Sequence, residues 1–255
     1  MLLAIDIGNS QTSLGLFKGS ELTHQWLLST QSTRTPDELE AILFSFFQRH
    51  SLKIEEIRQV ILCSVVPSSD AAYEHFVEST LKLPLYRVGI TPKMPIQMEV
   101  DNPVEVGADR IANAIYAAVH FKLPALIIDI GTAITFDLVK RGPTYAGGLI
   151  LPGMGLALQS LGGGTAKLPV VGLKHPTRLI GRNTIECIQN GIYFGYIEAI
   201  EGLICRFKVE NLELAEVVLT GGGGELYKNS LKGTTAYHSD LTLHGIRLFY
   251  EKVFV

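Results

Sequence analysis

Ile5-Asp6-Ile7-Gly8-Asn9-Ser10-Gln11-Thr12-Ser13-Leu14-Gly15-Leu16-Phe17 has a near-copy 123 positions later, Ile128-Asp129-Ile130-Gly131-Thr132-Ala133-Ile134-Thr135-Phe136-Asp137-Leu138. Apolar residues lead into each: Met1-Leu2-Leu3-Ala4 and Ala125-Leu126-Ile127. A repeat with so long a period means that the chain is built from two copies of one supersecondary unit. In each copy an acidic residue closes a buried strand, and Gly with Asn, Ser or Thr supplies a tight turn carrying N–H and hydroxyl donors. Such donors cradle phosphate oxygens, and a carboxylate beside them holds the divalent cation that offsets their charge. Two such hairpins facing one another would make a nucleotide cleft.

The composition bounds the rest. With 255 residues, 47% hydrophobic and 18% charged, the chain can bury one large core or two modest ones. Pro, Asp or Gly interrupts every apolar run well short of the roughly 20 residues of a membrane helix, so no membrane partner is expected. No basic residue precedes Lys18, and the N-terminus runs straight into the first strand, as part of the fold rather than a signal peptide. A net charge of -3 without a Lys/Arg cluster argues against nucleic acid. Cys63, Cys187 and Cys205 lack metal-ligand spacing and read as buried free thiols in a reducing cytoplasm. The seven histidines are scattered, which disfavours zinc or a Ser-His-Asp site, and Gly162-Gly163-Gly164-Thr165 lacks the Gly-Lys-Ser/Thr ending of a phosphate loop.

Along the chain, residues 1–17 predict a β-hairpin and Glu21–Ser29 a third strand. Thr35-Pro36-Asp37-Glu38 predicts a helix start with a capping box: Thr35 at N-cap, Pro36 at N1, Glu38 at N3. Further helices are expected over 70–81, from Arg110 through Ala118, from Pro152-Gly153 to Leu161, over 183–201 and over 241–254. Strands are expected at 60–65, 85–88 and 216–219. Strand clusters alternating with helices make the fold α/β. Two domains, 1–117 and 118–255, each with a five-stranded sheet flanked by helices, follow from the repeat.

The duplicated hairpin, with a late strand running into Leu219-Thr220-Gly221-Gly222-Gly223, resembles the acetate and sugar kinase/Hsp70/actin superfamily. Its larger members need more chain than this one has. The remaining signatures are similar to those of type III pantothenate kinases. They are Asp6-Ile7-Gly8-Asn9-Ser10, Asn102-Pro103 with Val106-Gly107-Ala108-Asp109-Arg110, and Asp129-Ile130-Gly131-Thr132-Ala133-Ile134-Thr135. Gly147–Gly153, Gly181-Arg182-Asn183-Thr184 and Leu241-Thr242-Leu243-His244-Gly245 continue the match. Gly-Ala-Asp-Arg opening a helix discriminates best among them.

The resemblance implies two ribonuclease H-like lobes with an interlobe nucleotide cleft, and ATP-dependent phosphorylation of pantothenate towards coenzyme A. It implies Asp109 as general base, a role suited to a carboxylate because phosphoryl transfer demands chiefly positioning. An N-cap for a helix beginning at Arg110 is the alternative for Asp109. Arg110 would pair with the pantothenate carboxylate or, alternatively, form a surface ion pair. Asp6, Ile7, Gly8, Asn9, Ser10, Gln11, Thr12, Ser13 and Thr132 would bind ATP, with Asp6 orienting Mg²⁺. Asn9, Ser10 and Thr12 would line the phosphates. Asp129 would help bind a monovalent cation, K⁺ or NH₄⁺. Val100, Gly107, Ala108, Asp109, Arg110 and Thr184 would meet pantothenate; Val100 stands where many members carry a Tyr. Thr184 would reach the neighbouring subunit's site in a cytoplasmic homodimer, with Gly191 and Gly195 packing against the twin; otherwise it is a simple N-cap or N1 residue. A kinase of another small hydroxylated acceptor, or a catalytically weak nucleotide-binding regulator, are the rival functions.

Overall fold

β1 (Leu2–Ile7) turns through Gly8-Asn9-Ser10 into β2 (Gln11–Lys18), which pairs in turn with β3 (Glu21–Ser29). A computed structural model describes all residues, 1–255, of the chain. β4 (Gln59–Ser64) lies parallel to β1, and β5 (Leu85–Arg87) parallel to β4, giving a five-stranded sheet in the order β3-β2-β1-β4-β5. Leu2, Leu3, Ala4 and Ile5 are buried without alternation, as expected of a central strand covered on both faces.

The predicted capping box is present at α1 (Pro36–Arg49). Glu38 N–H donates to Thr35 Oγ1 at 3.3 Å, and Thr35 N–H to Glu38 Oε2 at 2.9 Å. Leu39, Leu43 and Phe47, four residues apart, face one core cluster with Leu3, Ile5 and Ile7 of β1 and Leu14 and Leu16 of β2. The helix expected over 70–81 begins earlier and ends differently. Pro67 takes the first position of α2 (Pro67–His75), where its missing N–H costs nothing, and Phe76–Leu81 winds as a π-helix closed by Lys82 at φ 55. A two-residue strand, β6 (Gln97–Met98), precedes the short 3₁₀ turn Pro103–Glu105 and α3 (Ala108–His120).

Residues 120–240 form a second compact unit. Its strands β7 (Ala125–Ile130), β8 (Ala133–Lys140), β9 (Thr144–Pro152), β10 (Glu216–Thr220) and β11 (Ala236–Tyr237) repeat the connectivity of the first sheet. The order β11-β10-β7-β8-β9 matches β5-β4-β1-β2-β3, with the same parallel and antiparallel pairings. The duplication read from the two hairpins is therefore a duplication of topology. Leu126, Ile128 and Ile130 pack against Tyr193, Ile200 and Ile204 of α5 (Thr184–Glu210). That helix runs nine residues past the expected end at 201, because Ile204 and Phe207 continue its apolar face and Asn211 caps it, donating from Nδ2 to Phe207 O at 3.2 Å. α4 (Met154–Gly164) likewise runs through the glycines expected to end it. Gly162 is needed small there, since a Cβ would stand 2.7 Å from Val170 Cγ2.

The last helix, α7 (Leu241–Val253), departs from the expected division at 117/118. It belongs with Met1–Val119, the first unit comprising residues 1–119 and 241–255. Its apolar side packs on β1, β2 and β4, and a Cβ on Gly245 would collide with Ala112 O of α3. A contact between residues as far apart as Ala112 and Gly245 leaves no local trace in sequence. Among the thiols, Cys63 is buried as expected; Cys187 and Cys205, expected buried, are exposed. No helix is long and apolar enough to cross a membrane.

Candidate active site

In the first unit, Asp6, next to last in β1, lies beside Ser13 of β2 and Cys63 of β4. The turn beyond it is braced from behind. Gly8 N–H donates to Gln11 O at 3.0 Å, Thr30 N–H to Ser10 O at 3.0 Å, and Thr30 Oγ1 to Gly8 O at 2.7 Å. Thr12, expected to line the phosphates, is instead fully buried, and its hydroxyl meets Thr30 Oγ1 at 2.9 Å. It holds the turn from inside, because position 12 alternates inward on β2. Asn9, Ser10 and Gln11 are exposed at the tip, Ile7 is buried beneath it, and Ser13 is half-buried. Thr30 was not legible as a site residue; the one available signal was the strand ending at Ser29, whose register with Gln11 puts residue 30 against the turn.

The Gly107–Arg110 tetrapeptide opens α3. Ile111 N–H donates to Gly107 O at 3.1 Å, so Asp109 lies inside the first turn and is not the N-cap. Its Oδ1 accepts from Arg110 N–H at 2.8 Å, where the positive end of the helix favours a carboxylate. Gly107, Ala108, Asp109 and Arg110 are all half-buried, as is Val100 upstream. Burial pushes the Cys63 thiol well above its ordinary value, the negative charges of Asp6 and then of Asp109 push it further, and a hydrogen bond to Asp6 adds to them. The charges of two carboxylates distant in sequence thus both act on one buried thiol near the end of β4.

In the second unit, three glycine-bearing segments crowd Asp129 and the turn after it. Asp129 pairs with Thr135 on β8 and Thr220 on β10, the places that Ser13 and Cys63 take around Asp6. Gly221, at φ +86, lies against Asp129: a Cβ there would collide with Oδ1 and stand 2.6 Å from Ile130 O. Only glycine tolerates both the conformation and the approach. Gly223 N–H donates to Ile130 O at 2.8 Å and Gly153 N–H to Thr132 O at 2.9 Å, while Gly131 N–H closes on Ala133 O at 2.9 Å. Tyr237 OH donates to Gly221 O at 3.3 Å, a support with no sequence signal. Thr132 is half-buried at this junction.

Thr184 is exposed as the first residue of α5, after Asn183, which is the cap: Glu186 N–H donates to Asn183 Oδ1 at 2.9 Å. Arg182 N–H at 2.9 Å and Arg178 Nη2 at 2.7 Å donate to Glu186 Oε2 and hold its carboxyl below the ordinary range. Gly191 and Gly195 are exposed on the same helix and, with Leu179, Ile180 and Phe194, line a shallow apolar depression.

Two α/β sheets of one topology, each with an acidic residue ahead of a glycine turn, define the acetate and sugar kinase/Hsp70/actin class of fold. Component A of the (R)-2-hydroxyglutaryl-CoA dehydratase of Acidaminococcus fermentans shares that fold, with a TM-score of 0.55 over 97% of this chain and 95% of that one at 15% identity. Within the class, the sequence profile of the type III pantothenate kinases matches residues 2–206. The type III pantothenate kinase of Moorella thermoacetica is 41% identical over 254 residues, 99% of each chain. That of Dehalococcoides mccartyi is 38% identical over 250 residues, 98% of this chain and 97% of the other. The chain belongs to the type III pantothenate kinase family.

Proposed function

We propose that the chain phosphorylates pantothenate with ATP, yielding 4′-phosphopantothenate and ADP in the first step towards coenzyme A. Beside the family membership, the observation that carries this reading is the turn after β4: Val65 N–H donates to Ile7 O at 3.1 Å, next to Asp6, and Val65 Cγ1 lies 3.5 Å from where a Cβ on Gly107 would stand, two residues before Asp109. It joins the segment carrying the carboxylate of the first phosphate hairpin to the one carrying the proposed base. Asp109 takes the proton of the pantothenate hydroxyl as that oxygen forms its bond to the γ-phosphorus. The bond from the γ-phosphorus to the β–γ bridging oxygen breaks, and ADP leaves with its electron pair. Arg110 binds the pantothenate carboxylate as a bidentate partner, beside Val100, Gly107 and Ala108. The exposed tip Asn9, Ser10 and Gln11, with Ser13 and the backbone of Ile7 and Gly8, receives phosphate oxygens, as does Thr132.

The donors present fit the ions such a reaction uses. Residues 5–17 and 128–139 contain neither Lys nor Arg, so the hairpins themselves bring no positive charge to the phosphates. Asp6, half-buried at a strand end, suits Mg²⁺, which is commonly held by one or two carboxylates together with substrate phosphates. When bound, Mg²⁺ neutralises charge on the transferred group. Asp129, with Ile130 O close by across Gly221, offers the oxygen donors that a monovalent cation such as K⁺ or NH₄⁺ takes. The exposed Thr184, Gly191 and Gly195 fit a cytoplasmic homodimer in which α5 meets its twin. A coupled ADP-release assay with Mg²⁺ and K⁺ tests the function. Release that depends on pantothenate supports it; nucleotide binding without pantothenate-dependent turnover overturns it in favour of a regulator.

A further inference from the structure

The turn Ser64-Val65-Val66 at the end of β4 touches both carboxylate-bearing segments of the first unit. Val65 N–H donates to Ile7 O at 3.1 Å, one residue beyond Asp6. The Val65 side chain also backs the Gly107 loop: its Cγ1 lies 3.5 Å from where a Cβ on Gly107 would stand, two residues before Asp109. Two consecutive β-branched valines favour continued extension, so something must hold the bend. Ser64 does so. Its Oγ accepts from Val66 N–H at 3.1 Å and donates to Asp70 Oδ1 at 2.5 Å. Asp70 Oδ2 accepts in turn from Arg87 Nη1 at 3.0 Å, and Arg87 also binds Glu74. The Asp70 side chain is 18% exposed against 42% for Arg87, so the Ser64–Asp70 link is the inner and stiffer part of this chain of contacts.

We infer that Ser64, anchored by Asp70, is a positioning residue that sets Asp6 and Asp109 relative to one another for phosphoryl transfer. The inference rests on the reading of Asp109 as base. The hydroxyl acts through the turn: Val65 carries its position to β1 through the backbone and to the Gly107 loop through packing. Phosphoryl transfer depends on geometry, and a misplacement of about 1 Å costs on the order of 10²-fold in rate.

Steady-state kinetics and thermal melts of Ser64→Ala, Ser64→Thr and Asp109→Asn test it. Ser64→Ala is expected to lower kcat by about 10- to 100-fold, with KM for ATP and pantothenate within about threefold and a melting temperature still well above that of the assay. Ser64→Thr, which keeps the hydroxyl, recovers most of the lost kcat. Ser64→Ala with unchanged kcat beside an inactive Asp109→Asn overturns the inference alone. So does a loss that Ser64→Thr fails to recover, or one that the unfolded fraction accounts for. Near-normal turnover of Asp109→Asn removes the base, and this inference with it.

Discussion

Gly107 lies so close to Asp109 that a methyl group on its α-carbon would stand 2.5 Å from Oδ1. The carboxylate folds back over the residue two before it, and only the absence of a side chain there leaves it room. Gly107→Ala should therefore displace the Asp109 carboxylate without removing it. The expected result is a fall in kcat of about 10-fold or more with the melting temperature little changed, since the site is half-buried and at a helix start. Unaltered turnover would show that the carboxylate can move without consequence.

Removing the proton acceptor while keeping the shape is the sharper test. Asp109→Asn should lower kcat by roughly 10²–10⁴-fold, the range of general acid–base catalysis. Because Asp109 is not the N-cap of α3, the melting temperature should change little. Arg110→Ala should act on a different parameter, raising the KM for pantothenate strongly. A mutant pair with interchanged effects would reverse the two assignments.

The thiols give a pH signature. Cys63 is buried, and its thiol is held well above the ordinary value of 9.0 by that burial and by the charges of Asp6 and Asp109. It should stay protonated and unreactive at pH 8, while the exposed Cys187 and Cys205 react with a disulfide reagent. Because the folded thiol titrates above the unfolded one, its contribution to stability is complete below about pH 9 and is lost as pH rises further. Cys63→Ala should accordingly flatten the fall in melting temperature above pH 9. Labelling of three thiols in the native protein would contradict this placement.

Replacing K⁺ by Na⁺ at constant ionic strength should largely abolish activity, and Asp129→Ala should remove both the K⁺ response and most of the turnover. Gly221→Ala should resemble Asp129→Ala, since a side chain at φ +86 would strike the Asp129 carboxylate. Equal rates in K⁺ and Na⁺ would leave Asp129 without a monovalent-cation role.

What could be read from the sequence was what chain neighbours write. The capping box at Thr35 and Glu38 lies within four residues, and the two hairpins carry their own turn chemistry, so both were legible. The inward turn of Thr12 was not, because a hydroxyl on a strand beside a glycine turn suits a phosphate as well as it suits Thr30. Nor was the packing of Val65 against both the β1 strand end and the Gly107 loop, segments a hundred residues apart. The site residues that escaped, Thr30, Ser64 and Tyr237, all act on backbone carbonyls or on turns, and such support has no composition of its own.

The return of α7 to the first unit has a consequence for biosynthesis. Residues 120–240 are synthesised before α7, so the unit begun at Met1 stays without residues 241–255 until the whole second unit has been made. Until then β1, β2 and β4 lack the helix that packs on them, in which Leu241, Leu243, Ile246, Leu248, Phe249 and Val253 are buried. At about 1.5–3 kcal/mol per buried apolar side chain, burying these six contributes on the order of 10 kcal/mol, against which stands the entropy of ordering the helix. A chain ending just before residue 241 should therefore leave that face of β1, β2 and β4 uncovered, and exposed apolar surface of this kind is prone to aggregate.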